Sequence, residues 1–365
     1  MPVTEMSKEQ VVELLRPIED PTLKQSIVDL GMIRNAVVDA NGAAVEVELL
    51  TPLHPKRDHL QAAIGQALQE AGLEHAPAIT WTHRVRSSGQ GRTDAEPIKG
   101  VKNVIAVASG KGGVGKSTVA VNIAVAMARS GASVGLLDTD VYGPSIPIMM
   151  GTSEKPLMRN NKMVPVEAHG VKLMSIGFIL EADKALIWRG PLVAQLITQF
   201  LNDVDWGDLD YLVLDLPPGT GDVQLTLVQR IPISGAVIVT TPQDVALADA
   251  RKGLKMFQEV KSPVLGIVEN MSYFICPNCH DQHFIFGEGG GKALAAEGDV
   301  ELLGQIPIEA IVREGSDTGM PVVASAPDSL TGVAFGHATE RVAMRLAEDA
   351  VKKPRKPMLM FKSVR

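Results

Sequence analysis

A glycine-rich run between an apolar strand and an apolar helix carries the first chemistry in this sequence. The run GKGGVGKST matches G-x-x-x-x-G-K-S/T and lies between NVIAVAS and VAVNIAVAMARSG. Glycines let the backbone curl around a phosphate with its N–H groups pointing inward, and the next helix adds its positive dipole end. We expect a nucleotide-phosphate site formed by Gly110, Lys111, Gly112, Gly113, Val114, Gly115, Lys116, Ser117 and Thr118. The pattern assigns Lys116 to the β- and γ-phosphates and Ser117 to Mg²⁺.

Two apolar strands end in carboxylates that belong near such a loop. The segment SVGLLD leads into Asp138, Thr139 and Asp140, and the segment YLVLD ends in Asp215. Open α/β sheets bind ligands beyond the carboxyl ends of their strands, so we expect Asp215 to hold Mg²⁺ through water. For Asp140 and Asp215, an ordinary role as turn residues is the alternative.

The run KGGVGK resembles the nucleotide loop of the ParA, MinD and nitrogenase-reductase class of ATPases, which has a second lysine after the first glycine. Lys111 holds that position, although a lysine there could simply be a solvated surface charge. The resemblance implies that Lys111 reaches the nucleotide of a partner chain, and hence a homodimer. It also implies that Asp140 orients or deprotonates the attacking water. Lys111, Lys116 and Asp140 are therefore the candidate catalytic residues.

The only two cysteines of the chain, Cys276 and Cys279, form the motif CPNC. Haem attachment would require an exported protein, and the polar N-terminal sequence leads us to expect no export signal. Zinc binding with His280 and His283 would need an unusually tight spacing, and a redox dithiol belongs at the start of a helix. An iron–sulfur cluster commonly takes four thiolates, which two chains of a dimer would supply. This last interpretation is favoured and makes both cysteines candidate metal ligands.

Several motifs together resemble the Mrp/ApbC family of iron–sulfur cluster carrier ATPases, over residues 100–350. They are GKGGVGKST, DTDVYGPS, WRGP, DLPPGTGD, TTPQ, VENMS and CPNC. The resemblance implies ATP binding and slow hydrolysis, a homodimer, and a [4Fe-4S] cluster on Cys276 and Cys279 of both chains that is handed to apo-proteins. It also implies that Asn270 touches the adenine, with a strand-end capping role as the alternative.

Residues 1–86 are expected to form a small α+β domain. A capping box at Ser7 and Gln10 predicts a helix over 7–16, and the dipeptide NG at 41–42 predicts a hairpin. A helix over 56–71 and a strand over 78–86 complete the domain. It resembles the iron–sulfur assembly domain through DPTLKQSIVDLGMI and TPLHPKRD, but the Thr-Pro loop lacks the cysteine that many relatives carry. We therefore expect a docking or regulatory role, with His54 as an ordinary loop histidine.

The remainder of the chain predicts a flexible linker at 87–100, an α/β domain at 101–350 and a basic tail at 351–365. The strands VIAVAS, SVGLLD, YLVLDL, AVIVTT and VLGIVE alternate with helical stretches. This alternation is typical of a mostly parallel sheet covered by helices, and the glycine-rich run makes it a P-loop NTPase fold.

Composition narrows the function classes further. The 365 residues carry 35 Lys and Arg against 42 Asp and Glu, a net charge of −7. We expect a cytoplasmic protein with no nucleic-acid or membrane partner. Apo iron–sulfur proteins and cluster donors are the expected partners. A ParA- or MinD-like positioning ATPase with a structural zinc or redox CxxC is the alternative function, and an ATP-driven electron donor ranks last.

Overall fold

The computed structural model describes residues 6–39, 42–73, 75–88, 96–141, 143–179 and 190–352. The chain forms two compact units. The first consists of residues 1–50, 58–89 and 346–365, and the second of residues 51–57 and 90–345. Half of the predicted linker (residues 89–95), the residue Asn41 of the predicted turn, part of the WRGP motif and the tail beyond residue 352 lie outside the described residues.

The first unit contains a three-stranded sheet and the helices α1 and α2. Its elements are α1 (Lys8–Leu15), β1 (Ile33–Asp39), β2 (Gly42–Leu49), α2 (Arg57–Glu70) and β3 (Ala78–His83). Strands β1 and β2 are antiparallel, and β3 joins β2 in parallel. The predicted capping box is present, because Ser7 and Gln10 exchange both hydrogen bonds. The core is formed by Val11, Leu15, Val45, Val47, Ile64 and Leu68.

The second unit is built on an eight-stranded sheet in the order β15-β12-β11-β4-β10-β5-β9-β8. Every neighbouring pair is parallel except β8 and β9. The strands of this unit are β4 (Val101–Ser109), β5 (Val134–Asp138), β6 (Leu157–Arg159), β7 (Lys162–Val164), β8 (Val166–Ala168), β9 (Val171–Ser175), β10 (Leu209–Asp215), β11 (Gly235–Thr240), β12 (Val264–Glu269), β13 (Phe274–Ile275), β14 (Gln282–His283) and β15 (Glu301–Gln305). The five predicted strands form its contiguous centre, which confirms the α/β fold with a mostly parallel sheet.

Helices cover this sheet and bury its central strands, which explains why the sequences of these strands are apolar throughout. Every residue of β5, β10 and β11 is buried, as expected for parallel strands covered on both faces. The helices are α3 (Lys116–Arg129), α4 (Ile146–Met149), α5 (Gly190–Asp203), α6 (Asp222–Arg230), α7 (Asp244–Glu259), α8 (Gly290–Glu297), α9 (Ala310–Thr318), α10 (Val322–Ser325) and α11 (Leu330–Lys352), with a short 3₁₀ turn at Ile176–Phe178. The part of α11 from residue 346 onward belongs to the first unit. Among the described residues, no helix is long and apolar enough to cross a membrane.

Candidate nucleotide and metal sites

The glycine-rich loop joins β4 to α3, and two of its glycines, Gly110 and Gly115, leave no room for a side chain. Gly115 precedes α3 with a φ of +81°, and a Cβ there would lie 2.2 Å from Nδ2 of Asn270. At Gly110 a Cβ would lie 2.1 Å from the backbone of Asp249, whereas a Cβ at Gly112 would meet nothing within 4 Å. The loop therefore has the close backbone packing that the motif predicts.

Lys116 is the first residue of α3, and carboxylates surround its ammonium group. Its Nζ lies 2.6 Å from Oδ1 of Asp215 and 3.8 Å from Oδ2 of Asp140, and the side chain is only 6% exposed. Ser117 donates a 2.6 Å hydrogen bond to the other oxygen of Asp215. The fold thus brings four of the predicted site residues together at the carboxyl ends of β5 and β10.

Asp138 belongs to the same group, although the sequence analysis gave it no role. It is fully buried and accepts hydrogen bonds from the Ser175 hydroxyl at 2.8 Å and the Asp140 amide at 3.1 Å. Burial, followed by the charge of Asp215, raises the pKa of Asp138 to about 8. Asp138 is therefore mainly protonated at pH 7. Its position at the end of β5, paired in register with Asp215 of β10, is the signal that would have identified it.

Asn270 follows β12 and lies against the glycine-rich loop. Its Nδ2 donates a 2.9 Å hydrogen bond to the carbonyl of Val114, and the residue is 6% exposed. A contact with adenine stays a prediction, and the observed bond joins Asn270 to the glycine-rich loop. Lys111 is half-buried, and its ammonium has no ion-pair partner among the residues that the structure describes.

The two cysteines lie at the tip of a hairpin formed by β13 and β14, which pair antiparallel. The Cys276 amide donates to the carbonyl of Asp281 at 3.0 Å, and the His280 amide donates to the carbonyl of Cys276 at 2.9 Å. Cys276 is half-buried, Cys279 is exposed, and both thiols are free. Hydrogen bonds from the backbone amides of Cys279 and then Asn278 lower the pKa of the Cys276 thiol, which favours the thiolate that a metal ion binds.

A third donor stands beside the two sulfurs. The ligand atoms of Cys276, Cys279 and His283 all lie within 4.8 Å of one another, the only such group of three found among the described residues. The sequence analysis named His280 and His283 together, and the structure places only His283 in the group. His283 lies beside the sulfurs because it pairs with Phe274 across the hairpin.

Fold and site together define a P-loop NTPase with a two-cysteine hairpin, and comparison with known proteins identifies the family. The chain belongs to the family described as NUBPL iron-transfer P-loop NTPases, whose profile matches residues 100–343. The profile of the iron-sulfur cluster assembly proteins matches residues 8–75. The resemblance stated from the motifs, both for the ATPase region and for the first domain, is thereby confirmed.

Individual relatives agree with this assignment. An iron-sulfur cluster carrier protein of Synechocystis sp. is 45% identical over 353 residues, covering 95% of this chain and 99% of that protein. A nucleotide-binding protein of Archaeoglobus fulgidus, solved with ADP and cobalt, has a TM-score of 0.55 at 45% identity over 61% of this chain and 88% of its own. The cell division ATPase MinD of Pyrococcus furiosus has a TM-score of 0.52 at 22% identity, covering 66% of this chain and 98% of its own. This last likeness concerns the fold alone and gives the positioning function no support.

Proposed function

We propose that this protein hydrolyses ATP and carries a [4Fe-4S] cluster, as cargo, to apo-proteins. The observation that carries the proposal is the pair of free thiols at a hairpin tip, in a chain that also has a complete phosphate-binding loop. The name of the Synechocystis relative, an iron-sulfur cluster carrier protein, supports the same cargo.

In the nucleotide site, the residues Gly110 to Thr118 and Asn270 bind ATP. Lys116 exchanges its Asp215 partner for the β- and γ-phosphates, which frees both oxygens of Asp215 and the Ser117 hydroxyl to hold Mg²⁺. The ion supplies charge neutralisation at the phosphates when it is bound. Asp140, beside Lys116, positions the attacking water, and Lys111 completes the site of a partner chain.

At the hairpin, each chain offers two thiolates and a [4Fe-4S] cluster commonly takes four. The cargo therefore bridges the two chains of a homodimer, on Cys276 and Cys279 of each. Thiolates are soft ligands suited to such clusters, so the donor set fits. The exposure of Cys279 leaves the cargo open to an acceptor.

Nucleotide and cluster are coupled in this proposal because both sites are completed by the same dimer. When nucleotide and cluster each bind one arrangement of the two chains better than another, nucleotide binding changes the cluster affinity by at most the nucleotide's own preference. Cluster donors and apo-proteins are the partners, and the cytoplasm is the compartment because the thiols must stay reduced.

Reconstitution under anaerobic conditions tests the cargo assignment. We expect about four irons and four sulfides per two chains of the parent protein, and none after Cys276→Ala or Cys279→Ala. The variant Asn278→Ala, which changes a side chain between the two cysteines, is the matched control and should load like the parent. Full cluster content in either cysteine variant would refute the proposal.

A further inference from the structure

The backbone of the β13–β14 hairpin places three metal-binding side chains on one face. Phe274 is paired directly with His283, so these two side chains share a face, and their rings lie 6.5 Å apart between centroids. Cys276 directly follows β13, and its amide continues the ladder by donating to the carbonyl of Asp281 at 3.0 Å. Side chains two apart along such a ladder lie on the same face, so Cys276 shares the face of Phe274. Cys276 and His283 are therefore diagonal neighbours, and the turn brings Cys279 back to them.

The distances suit a single ion. Metal–sulfur and metal–imidazole bonds of about 2.3 and 2.0 Å in a tetrahedral site put neighbouring donor atoms roughly 3.5–3.8 Å apart. The three donor atoms already lie within 4.8 Å of one another. Side-chain rotations that move these atoms by about 1 Å would bring them to the separation of a tetrahedral site. No residue of a second chain is needed for these three ligands.

His280 provides the internal contrast, because it is adjacent to Cys279 in sequence yet outside this group. Its φ of +61° belongs to the tight turn, in which its amide donates to the carbonyl of Cys276. Spacing in the sequence does not choose between the two histidines, whereas the hairpin register selects His283.

We propose that each chain by itself binds one divalent ion of the Fe²⁺, Co²⁺ and Zn²⁺ class through Cys276, Cys279 and His283. Thiolates and imidazole are the donors that this class of ion takes, and three protein ligands leave a fourth position open. Binding releases the two thiol protons. This inference deepens the proposed function at the same hairpin: one chain holds a single metal ion, and two chains are required for the cluster.

Anaerobic titration of the reduced, metal-free full-length protein with Co²⁺ tests the inference. Tetrahedral thiolate-bound cobalt gives visible d–d bands and a sulfur-to-cobalt charge-transfer band that reports the number of thiolates. We expect one Co²⁺ per chain with two thiolates. Since even indirect partners of a metal ligand contribute about 10–100-fold to affinity, His283→Ala should weaken binding at least about tenfold.

Two further variants complete the design. His280→Ala, a histidine substitution in the same turn, should bind Co²⁺ like the parent. His283→Cys should restore tight binding with a stronger charge-transfer band from a third thiolate, which separates a ligand from a merely structural side chain. Circular dichroism of each variant confirms that the chain is folded.

Unchanged affinity and spectrum in His283→Ala would overturn the inference, as would one Co²⁺ per two chains held by four thiolates. Cluster reconstitution on the same preparations keeps this result separate from the proposed function. A parent that takes up a cluster but binds cobalt without His283 leaves the carrier function standing. A parent that binds cobalt through His283 but never takes up a cluster refutes the carrier function alone.

Discussion

Within the described residues, Lys116 is the one cation at the centre of the nucleotide site, where three carboxyl groups lie near it. Asp215 is fully buried and Lys116 nearly so, and the two are joined by a 2.6 Å ion pair. Burying one charge without its partner costs free energy. The stability of this buried cluster therefore depends on the balance between its positive and negative charges. The protonation of Asp138 reduces the negative charge that Lys116 must neutralise.

Replacing Lys116 by Ala should lower the rate of ATP hydrolysis by about 10²–10³-fold or more, because the transferred phosphate loses its main cationic partner. The measurement is phosphate release at saturating ATP, with a thermal unfolding scan to show that the chain folds. Lys102→Ala is the control, since it removes another lysine ion-paired with an aspartate of β10, Asp210, at 2.7 Å. Hydrolysis at the parent rate in Lys116→Ala would remove the assignment.

The raised pKa of Asp138 predicts that the free energy of unfolding depends on pH. Its pKa rises from 3.8 in the unfolded chain to about 8 in the folded one, so the folded state binds more protons between these values. The contribution of Asp138 to the free energy of unfolding is therefore fully present at low pH. It is lost as the pH rises toward 8, with a slope of at most about 1.4 kcal/mol per pH unit.

Asp138→Asn should remove this dependence, so the variant gains stability relative to the parent between pH 6 and pH 8. Urea unfolding of both proteins at the two pH values, without Mg²⁺ or nucleotide, measures the difference. Equal pH slopes for parent and variant would show that Asp138 does not titrate in this range.

At the scale of elements, the glycine-rich loop is held between the end of β4, the start of α3 and the residue that follows β12. The bond from Asn270 to the carbonyl of Val114 ties the loop to its neighbour in the sheet. Gly115 lies beneath that bond in the left-handed region. The residue that follows β12 therefore contributes a direct hydrogen bond to the loop.

Gly115→Ala should lower the free energy of unfolding by about 1–3 kcal/mol, because alanine is strained at positive φ and its Cβ would displace Asn270. The matched control is Gly112→Ala in the same loop, where the added methyl meets nothing within 4 Å. Denaturant titrations without nucleotide compare the two. Similar losses in both variants would contradict the prediction that Gly115 is the constrained position.

At the scale of the whole molecule, the proposed dimer makes each nucleotide site depend on both chains. Lys116 would act on the nucleotide of its own chain and Lys111 on that of the partner. Lys111→Ala and Lys116→Ala proteins should each be nearly inactive alone. Mixed dimers contain one complete site, so a 1:1 mixture should recover about a quarter of the parent ATPase rate if chains pair at random.

Phosphate release after mixing and re-equilibration measures this recovery, and capture of one tagged variant by the other shows that mixed dimers form. Mixed dimers without any recovered activity would mean that Lys111 does not act across the interface.

Local patterns in the sequence determined the central strands, the phosphate-binding loop, the capping box of α1 and the family. Each depends on neighbouring residues: an apolar run long enough for a buried strand, or glycines at fixed spacing before a helix. The strands β8, β9 and β15 were not predicted, because such short strands at or next to the edge of the sheet have no continuous apolar pattern.

Only the tertiary structure decided which side chains meet. Lys116 and Asp215 are 99 positions apart, and the parallel pairing of β10 with β4 brings them to one edge of the sheet. Asp138 joined the site through the register of β5 on β10, and of the two histidines named from the sequence only His283 lies beside the cysteines, because of the register of the hairpin. Register depends on packing between segments, and a change of one residue turns a side chain to the opposite face, so the linear sequence left both choices open.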